Sequence, residues 1–396
     1  MKNLITEQRD GRSRRSGLIW HRATVAWCCW VVWGGLELAR AAVLPLPVSF
    51  TYTSNGPLIG EEEGGGRHGF GFPDPKVFRD GEDFYITGTS LRFYRTRSFQ
   101  KNDLTRYDLK LDFGSEASRV QKIWSASLYR HTDGTYHLYA TLNYGEFETS
   151  VGHFVPQSGE VWRKQSPIKR WRLARVLVPN AYDATAFRDG DGTLYLIYDG
   201  SRKPKDGRHI MAWRMRDPGT MDTGFQPRAF FSSGAFRSEN LDRPGGGRLV
   251  EAATISRIQG KYVMLYSVGD FNAANYKLGV AFSDTLIPTE GKTYQRIFAP
   301  DPTNIWGSGR GKEVLYLLQT QKPGWPNYWG RYLQAPGSGN LVERLGQLLL
   351  VFHARHPGEI NVNSFPRCTW TMPVQVNIVS GVPPEQWIRI PVPAVK

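Results

Sequence analysis

The stretch DPKVFRDGEDFYITGTS, residues 74–90, contains a short apolar strand, an Asp-Gly turn and a second apolar strand. Asp-Gly between two apolar strands is a strong signal for a β-hairpin. Asp74 precedes Pro75, and a proline is tolerated at the first residue of a strand because it has no N–H to give to the sheet. Asp-Pro is also ordinary turn chemistry, so this stretch alone assigns Asp74 no function.

The same pattern returns three more times, each time behind a different marked residue. These segments begin at Trp124, Asp183 and Glu251 and end at residues 144, 200 and 270. The second strands begin 10, 13, 11 and 11 residues after the four marked residues, and they recur every 53 to 68 residues. Self-similar β-units at this period indicate a propeller.

A fifth, looser unit completes the pattern. Residues 309–319 are interpreted as its first strand and residues 347–355 as its second, with a long loop at residues 320–346 between them. Five units predict an all-β fold, a five-bladed β-propeller, in residues 66–396. Residues 42–65, which end in a hydrophilic glycine-rich run, are predicted to be a flexible leader.

Residues 1–41 have the composition of an export signal. Four arginines precede an apolar run at residues 23–35, and Ala39-Arg40-Ala41 resembles a signal-peptidase site. The run is shorter than the ~20 residues of a membrane span, although a signal anchor remains the alternative. We expect a secreted, extracellular protein that begins near Ala42. Cys368 would then be its only cysteine, so no internal disulfide can form.

The net charge narrows the range of partners. The whole chain carries +14; residues 1–41 contribute seven basic and three acidic side chains, so their removal leaves about +10. A basic surface can attract anionic polysaccharide or nucleic acid. No recognised nucleic-acid motif is present, and we therefore expect no nucleic-acid partner, no membrane partner unless the N-terminal segment is retained, and a monomer.

The four marked residues indicate a catalytic site. In a propeller the first strand of each blade lines the central channel, so Asp74, Trp124, Asp183 and Glu251 are predicted to meet at one channel mouth. Three carboxylates in one pocket are electrostatically unfavourable unless function requires them. One ionised carboxylate can activate water and one protonated carboxyl can protonate a leaving oxygen, while an aromatic ring can stack on a sugar.

Several segments resemble glycoside hydrolase family 43. They are FPDPKVF (72–78), IWSASLY (123–129), NAYDATAFRDGDGTLYLIYDG (180–200) and LVEAATI (249–255) with YVMLYS (262–267). The resemblance covers about residues 70–375. It implies five-bladed propellers that act on arabinan, arabinoxylan, xylan or galactan with inversion of anomeric configuration.

The resemblance also implies roles for individual residues. Asp74 matches the general base, Glu251 the general acid, and Asp183 the aspartate that orients substrate and tunes the acid. Arg367, in PRCTWTMPV (366–374), matches a partner of the middle aspartate; its alternative is a surface arginine. Residues expected to contact substrate are Phe72, Trp124, Trp306 and Arg367.

The chain departs from the family pattern at two places that bear on metals and on the pocket. GSGRGKEV (307–314) has Arg310 where the family often has a histidine, so an axial calcium ion is not supported and we expect no cofactor and no metal ligand. Glu251 is followed by Ala252-Ala253 instead of Gly-Pro. His353 and His356 lack ligand spacing and are interpreted as core or surface histidines.

The sequence therefore predicts a secreted inverting glycoside hydrolase acting on arabinofuranosyl or xylosyl linkages of plant-type polysaccharides or oligosaccharides. Two alternatives stay open. One is a carbohydrate-binding propeller without turnover, which need not keep three carboxylates. The other is a propeller phosphorylase or transferase acting on another sugar.

Overall fold

The computed structural model describes residues 57–60, 71–145, 148–200, 209–233, 239, 249–298, 314–320, 333–355 and 367–390. The chain divides into two compact units, Met1–Ala42 and Val43–Lys396, and every described residue lies in the second. Five sheets in this unit form a five-bladed β-propeller, which confirms the predicted fold class. Within the described ranges, no helix has the length and apolar character that a membrane span requires.

Blades one and two contain the first nine strands. Blade one consists, in hydrogen-bonding order, of β1 (Lys76–Asp80), β2 (Asp83–Thr87), β3 (Arg92–Thr96) and β4 (Thr105–Asp108). Blade two consists of β5 (Lys110–Asp112), β6 (Lys122–Arg130), β7 (Tyr136–Gly145), β8 (Glu148–Pro156) and β9 (Arg170–Pro179). Its sheet order is β5-β9-β8-β7-β6, and the short β5 pairs in parallel with β9.

Blades three, four and five follow the same plan. Blade three consists of β10 (Ala181–Arg188), β11 (Leu194–Gly200), β12 (His209–Asp217), β13 (Thr220–Met221) and β14 (Arg228–Ser232). Blade four consists of β15 (Val250–Ile258), β16 (Lys261–Val268), β17 (Lys277–Ser283), β18 (Gln295–Arg296) and β19 (Tyr316–Gln319). Blade five consists of β20 (Gln334–Arg344), β21 (Gln347–Arg355), β22 (Arg367–Val376) and β23 (Ile388–Arg389).

The first strands of the five blades form the centre of the fold. Each of β1, β6, β10, β15 and β20 contacts the first strand of the blade before it and of the blade after it, and β20 returns to β1. Most buried apolar side chains of the described residues lie in five clusters, each formed mainly by two neighbouring blades. Burial of one large apolar side chain stabilises a fold by about 1.5–3 kcal/mol, so these contacts between blades hold the ring together.

The predicted first strand of blade five is wrong. Residues 316–319 form β19, the outer strand of blade four, which pairs with β17. The first strand of blade five is β20, whose sequence QAPGSGNLVER lies inside the predicted loop. Its Gly-Ser-Gly core has low strand propensity, but Gly337 and Gly339 are needed because a Cβ there would press on Tyr276 and Leu278.

Part of the predicted flexible leader is packed on the propeller. Leu58 and Ile59 are buried, and Ile59 exchanges backbone hydrogen bonds with Thr369 of β22. Gly71 forms a second bridge with Arg367 at the start of the same strand. The segment before blade one therefore joins blade five and helps to close the ring.

Candidate active site

A non-glycine residue with a left-handed backbone recurs at the equivalent position of all five blades, in the first strand or just before it. These residues are Asp74 (φ 55°), Ser125 (φ 45°), Asp183 (φ 53°), Ala252 (φ 55°) and Ser338 (φ 48°); Ala335 of β20 is also left-handed but lies outside this set. In blades two to five the strand register shifts around this residue, as in a β-bulge. A left-handed backbone disfavours most L-residues by about 1–2 kcal/mol, so neighbouring contacts must hold it in place.

A ring of hydrogen bonds between blades provides those contacts. The backbone N–H of each of these five residues donates to a polar side chain on the second strand of the preceding blade or just after it. The pairs are Ser125 to Thr89 Oγ1 (2.9 Å), Asp183 to Thr141 Oγ1 (2.9 Å), Ala252 to Asp199 Oδ2 (2.6 Å), Ser338 to Ser267 Oγ (2.9 Å) and Asp74 to His353 Nδ1 (3.0 Å). The ring of hydrogen bonds holds five residues at equivalent positions, among them the candidate catalytic residues Asp74 and Asp183.

The ring of hydrogen bonds shows that the four marked residues do not occupy the equivalent positions that the sequence predicted. Asp74 and Asp183 are themselves left-handed residues of the ring, whereas Trp124 and Glu251 each lie one position earlier. Trp124 and Glu251 share that earlier position with Tyr182, since all three are the last paired residue before the register shift. Aligned by sequence, the four segments look equivalent because their turns differ in length, and this difference hides a shift of one residue.

Asp74 is held by four side chains from two blades, Thr89 of blade one and three residues of blade five. Thr89 donates to its Oδ2 at 2.6 Å, and Ser338 and Arg367 donate to its Oδ1 at 3.0 and 3.2 Å. Nδ1 of His353 lies 3.3 Å from the same oxygen, but it already accepts the Asp74 N–H. The carboxylate is therefore fixed in orientation at the closure between blades five and one.

The ionisation of Asp74 depends on Arg367. Burial alone would raise the pKa of Asp74, but the charge of Arg367 and the hydrogen bonds around the carboxylate lower it far below its ordinary value. Burial and the charge of Arg367 lower the pKa of His353 to about 4, so its imidazole is neutral near neutral pH. Arg367 is consequently the dominant cation beside Asp74.

Arg367 does not bond to the aspartate that the resemblance predicts as its partner. Its hydrogen-bonded partner is Asp74 and not Asp183, although its charge also lowers the pKa of Asp183. The side chain is 16% exposed, which excludes the alternative of a surface arginine. The ring of Phe271 lies 5.0 Å from its guanidinium carbon and supports it from the side.

Asp183 lies in the same electrostatic cluster as Asp74. Burial and then the charge of Asp74 raise the pKa of Asp183 to about 6, against the charges of Lys76 and Arg367. The side chain of Asp183 is buried, and its backbone is tied to β7 through Thr141. Asp183 therefore gains or loses its proton within the pH range in which enzymes work at neutral or mildly acidic pH.

The ionisation of Glu251 is opposite to that of Asp74. Tyr276 donates to its Oε1 at 2.7 Å and Tyr182 donates to its Oε2 at 3.2 Å. Burial, and then the charges of Asp183 and Asp74, raise the pKa of Glu251 to about 8. The carboxyl is therefore protonated at neutral pH, whereas Asp74 is ionised. One pocket thus holds a proton donor and a proton acceptor.

The predicted substrate contacts have different surroundings. Trp124 is half-buried beside Ser125, so its ring keeps accessible surface at the end of β6 where the carboxylates lie. Phe72 is fully buried and packs edge-on against Tyr94 at 5.0 Å, which accounts for this residue without a substrate contact. Trp306, Arg310 and His356 lie outside the described residues.

Several residues of the site were missed by sequence reasoning. They are Tyr182, Tyr276, Thr89, Ser338 and His353, which bond to Glu251 or Asp74. The sequence did carry a signal for two of these residues. In every blade the side chain that accepts the N–H hydrogen bond lies 15 or 16 positions after the left-handed residue of that blade. His353 and Thr89 could have been found from that spacing.

The described residues do not offer a metal site. No group of three or more His, Cys, Asp or Glu side chains in these ranges is arranged to hold a metal ion. The carboxylate of Asp74 is bonded by hydroxyls and a guanidinium, and Lys76 places a positive charge near Asp183. These surroundings do not fit an additional axial cation, and no chemical step is assigned to one.

Comparisons with known proteins agree with this fold. The model of the family Glycosyl hydrolases family 43 matches residues 70–371. Similar solved structures include an alpha-L-arabinofuranosidase from Lactobacillus brevis, with a TM-score of 0.59 and 17% identity over 83% of this chain and 95% of that chain.

Two further solved structures share the fold. An endo-1,4-beta-xylanase from Bacteroides thetaiotaomicron has a TM-score of 0.55 and 17% identity over 85% of this chain and 96% of that chain. An exo-1,5-alpha-L-arabinanase from a bovine ruminal metagenomic library has a TM-score of 0.53 and 17% identity over 77% and 93%. A search of the curated proteins found no match. The family match spans most of the sequence, and the chain belongs to glycosyl hydrolases family 43.

Proposed function

We propose that this glycosidase is a secreted, inverting enzyme that hydrolyses arabinofuranosyl or xylosyl linkages of plant-type polysaccharides. Asp74 is the general base, Glu251 is the general acid, and Asp183 orients the sugar and tunes the acid. The observation that carries this proposal is the opposite ionisation of two carboxyls in one pocket. Arg367 keeps Asp74 ionised, while burial and the neighbouring aspartates keep Glu251 protonated.

The chemistry follows from these two states. Asp74 takes a proton from water, which attacks the anomeric carbon as the bond to the leaving oxygen breaks. Glu251 gives its proton to that oxygen, so no charged alkoxide has to leave. An inverting site of this kind needs the two carboxyls about 6.5–9.5 Å apart to admit the water. The hydroxyls of Tyr182 and Tyr276 fix the orientation of the Glu251 carboxyl.

The sugar class is supported by the family and by the names of the similar structures. These structures are described as an arabinofuranosidase, a xylanase and arabinanases, which act on polymers of pentoses. The half-buried ring of Trp124 offers a face on which a sugar can stack. We expect a polysaccharide or oligosaccharide substrate and no cofactor.

The test is hydrolysis of aryl α-L-arabinofuranosides and aryl β-D-xylosides, with the first-formed anomer identified by NMR. Turnover with inversion is expected for the wild type. A first product of retained configuration would contradict the assignment of Asp74 as base. Binding of arabinan or xylan without turnover on any substrate would favour a carbohydrate-binding propeller, and strict dependence on phosphate would indicate a phosphorylase.

Export is a separate part of the proposal. The apolar run and Ala39-Arg40-Ala41 support cleavage before Ala42 and an extracellular, monomeric protein. N-terminal sequencing of the secreted protein should start near Ala42, and gel filtration should give the mass of one chain. Secreted protein that still contains Cys28 would indicate a membrane anchor instead.

A further inference from the structure

Lys76 is a buried lysine inside the candidate active site. It is the first residue of β1, two positions after Asp74, and only 3% of its surface is exposed. Its Nζ is buried and has no hydrogen-bond partner among the residues that the structure describes. A buried ammonium without hydrogen bonds is unfavourable unless negative charge lies close to it. The sequence contains no motif that explains this residue.

Negative charge near Lys76 comes from Asp183 and Asp199. The charge of Lys76 opposes the rise in pKa that burial imposes on both carboxyls. Asp199 is fully buried, accepts the N–H of Ala252, and lies at the ring position where the other blades have a threonine, a serine or a histidine. A hydroxyl makes the same hydrogen bond there, so the carboxyl of Asp199 adds an ionisable group that the ring itself does not need.

The charges of the pocket can be counted from these contacts. Electrostatic interactions link four carboxyls of the described residues, namely Asp74, Asp183, Asp199 and Glu251. Two cations face them, Arg367 beside Asp74 and Lys76 near Asp183, while His353 is neutral. Two cations balance two ionised carboxylates, which leaves the other two carboxyls protonated.

We propose that Lys76 is the counter-charge of Asp183, as Arg367 is of Asp74, and that it thereby keeps Asp183 ionised while Glu251 stays protonated. Lys76 is a positioning residue, since it acts through Asp183 and not on the substrate. The assignment rests on the proposed roles of Asp183 and Glu251.

The first experiment is the pH dependence of kcat/KM for Lys76→Met, compared with the wild type and with Lys101→Met, an exposed lysine outside the site. Loss of the charge should move the acidic limb to higher pH by about one pH unit, which corresponds to about 1.4 kcal/mol of lost charge–charge interaction. The basic limb should not move down, because the loss of a cation from a coupled group of carboxyls can only raise their pKa values. Lys76→Arg should keep most of the wild-type profile.

A second experiment requires no turnover and therefore separates this inference from the proposed function. Lys76→Met should lower the thermal unfolding temperature at pH 7, and the added change Asp183→Asn should restore most of the loss, because both charges are then gone. Additive losses in the double variant would overturn the pairing even if the enzyme were inactive on every glycoside. An unchanged pH profile in Lys76→Met, or a Lys76→Arg profile equal to that of Lys76→Met, would overturn it in an active enzyme.

Discussion

Replacement of Arg367 by methionine removes the cation that holds Asp74 ionised but keeps a long side chain against Phe271. The guanidinium donates to Asp74 Oδ1 at 3.2 Å, and the two side chains are 16% and 13% exposed. Its charge lowers the pKa of Asp74, Asp183 and Glu251. All three pKa values should therefore rise in the variant, most strongly that of Asp74.

The size of the effect follows from the geometry. Two unit charges about 4 Å apart interact by about 4 kcal/mol at an effective dielectric constant of 20, which corresponds to about three pKa units. The small exposure of both groups reduces this to about two units for Asp74. Asp183 is farther from the guanidinium and should shift less. Because the carboxyls are coupled, the acidic limb reports them together and should move up by about one to two pH units.

The assay is kcat/KM on an aryl arabinofuranoside between pH 3 and pH 10 for the wild type, Arg367→Met and Arg367→Lys. We expect a raised acidic limb in Arg367→Met and a limb close to that of the wild type in Arg367→Lys, which keeps the charge. The basic limb should also rise slightly, because Arg367 lowers the pKa of Glu251. An acidic limb that stays in place in Arg367→Met would refute the assignment of Arg367 as the counter-charge of the base.

Three further outcomes follow from the structure. Tyr276→Phe removes the 2.7 Å hydrogen bond that favours ionised Glu251, so the basic limb of the pH profile should rise by about one pH unit; an unmoved limb would contradict this. Burial lowers the pKa of His153 to about 3 and of His137 to about 4, below the 6.5 of an unfolded chain, so the unfolded state binds more protons and stability should fall as the pH drops from 6.5 toward 4. His153→Gln should make the fall in unfolding temperature smaller, as calorimetry at pH 7 and pH 5 can measure, and an equal fall would exclude this histidine as a cause. Gly337→Ala should destabilise the fold by about 1–3 kcal/mol in urea unfolding, because the new methyl group overlaps Tyr276; a neutral effect would mean that the strand can shift.

Four of the five blades could be predicted because their signals are local. Asp-Gly or Gln-Gly turns between apolar strands need only neighbouring residues, and they place β1, β6, β10 and β15 in the observed order. The three candidate catalytic carboxyls could be predicted for the same reason, since each begins or precedes a repeated strand.

The remaining features depend on contacts between distant segments. The strand β20 has a Gly-Ser-Gly core that resembles a turn, and only the packing of Tyr276 and Leu278 requires glycines there. Arg367 bonds to Asp74, which lies 293 residues earlier in the chain. Neither the partner of this arginine nor the buried charge of Lys76 has a local sequence signal.

The division of roles between Asp74 and Glu251 is tested most directly by the leaving-group dependence of two variants. The rates of Asp74→Asn and Glu251→Gln are measured on aryl glycosides whose leaving phenols span a wide range of acidity. Glu251→Gln should lose about 10²–10⁴ in rate on poor leaving groups and little on phenols that need no protonation. Asp74→Asn should be slow on all of them, because water must still be activated. The same leaving-group dependence in both variants would contradict the assignment of base and acid.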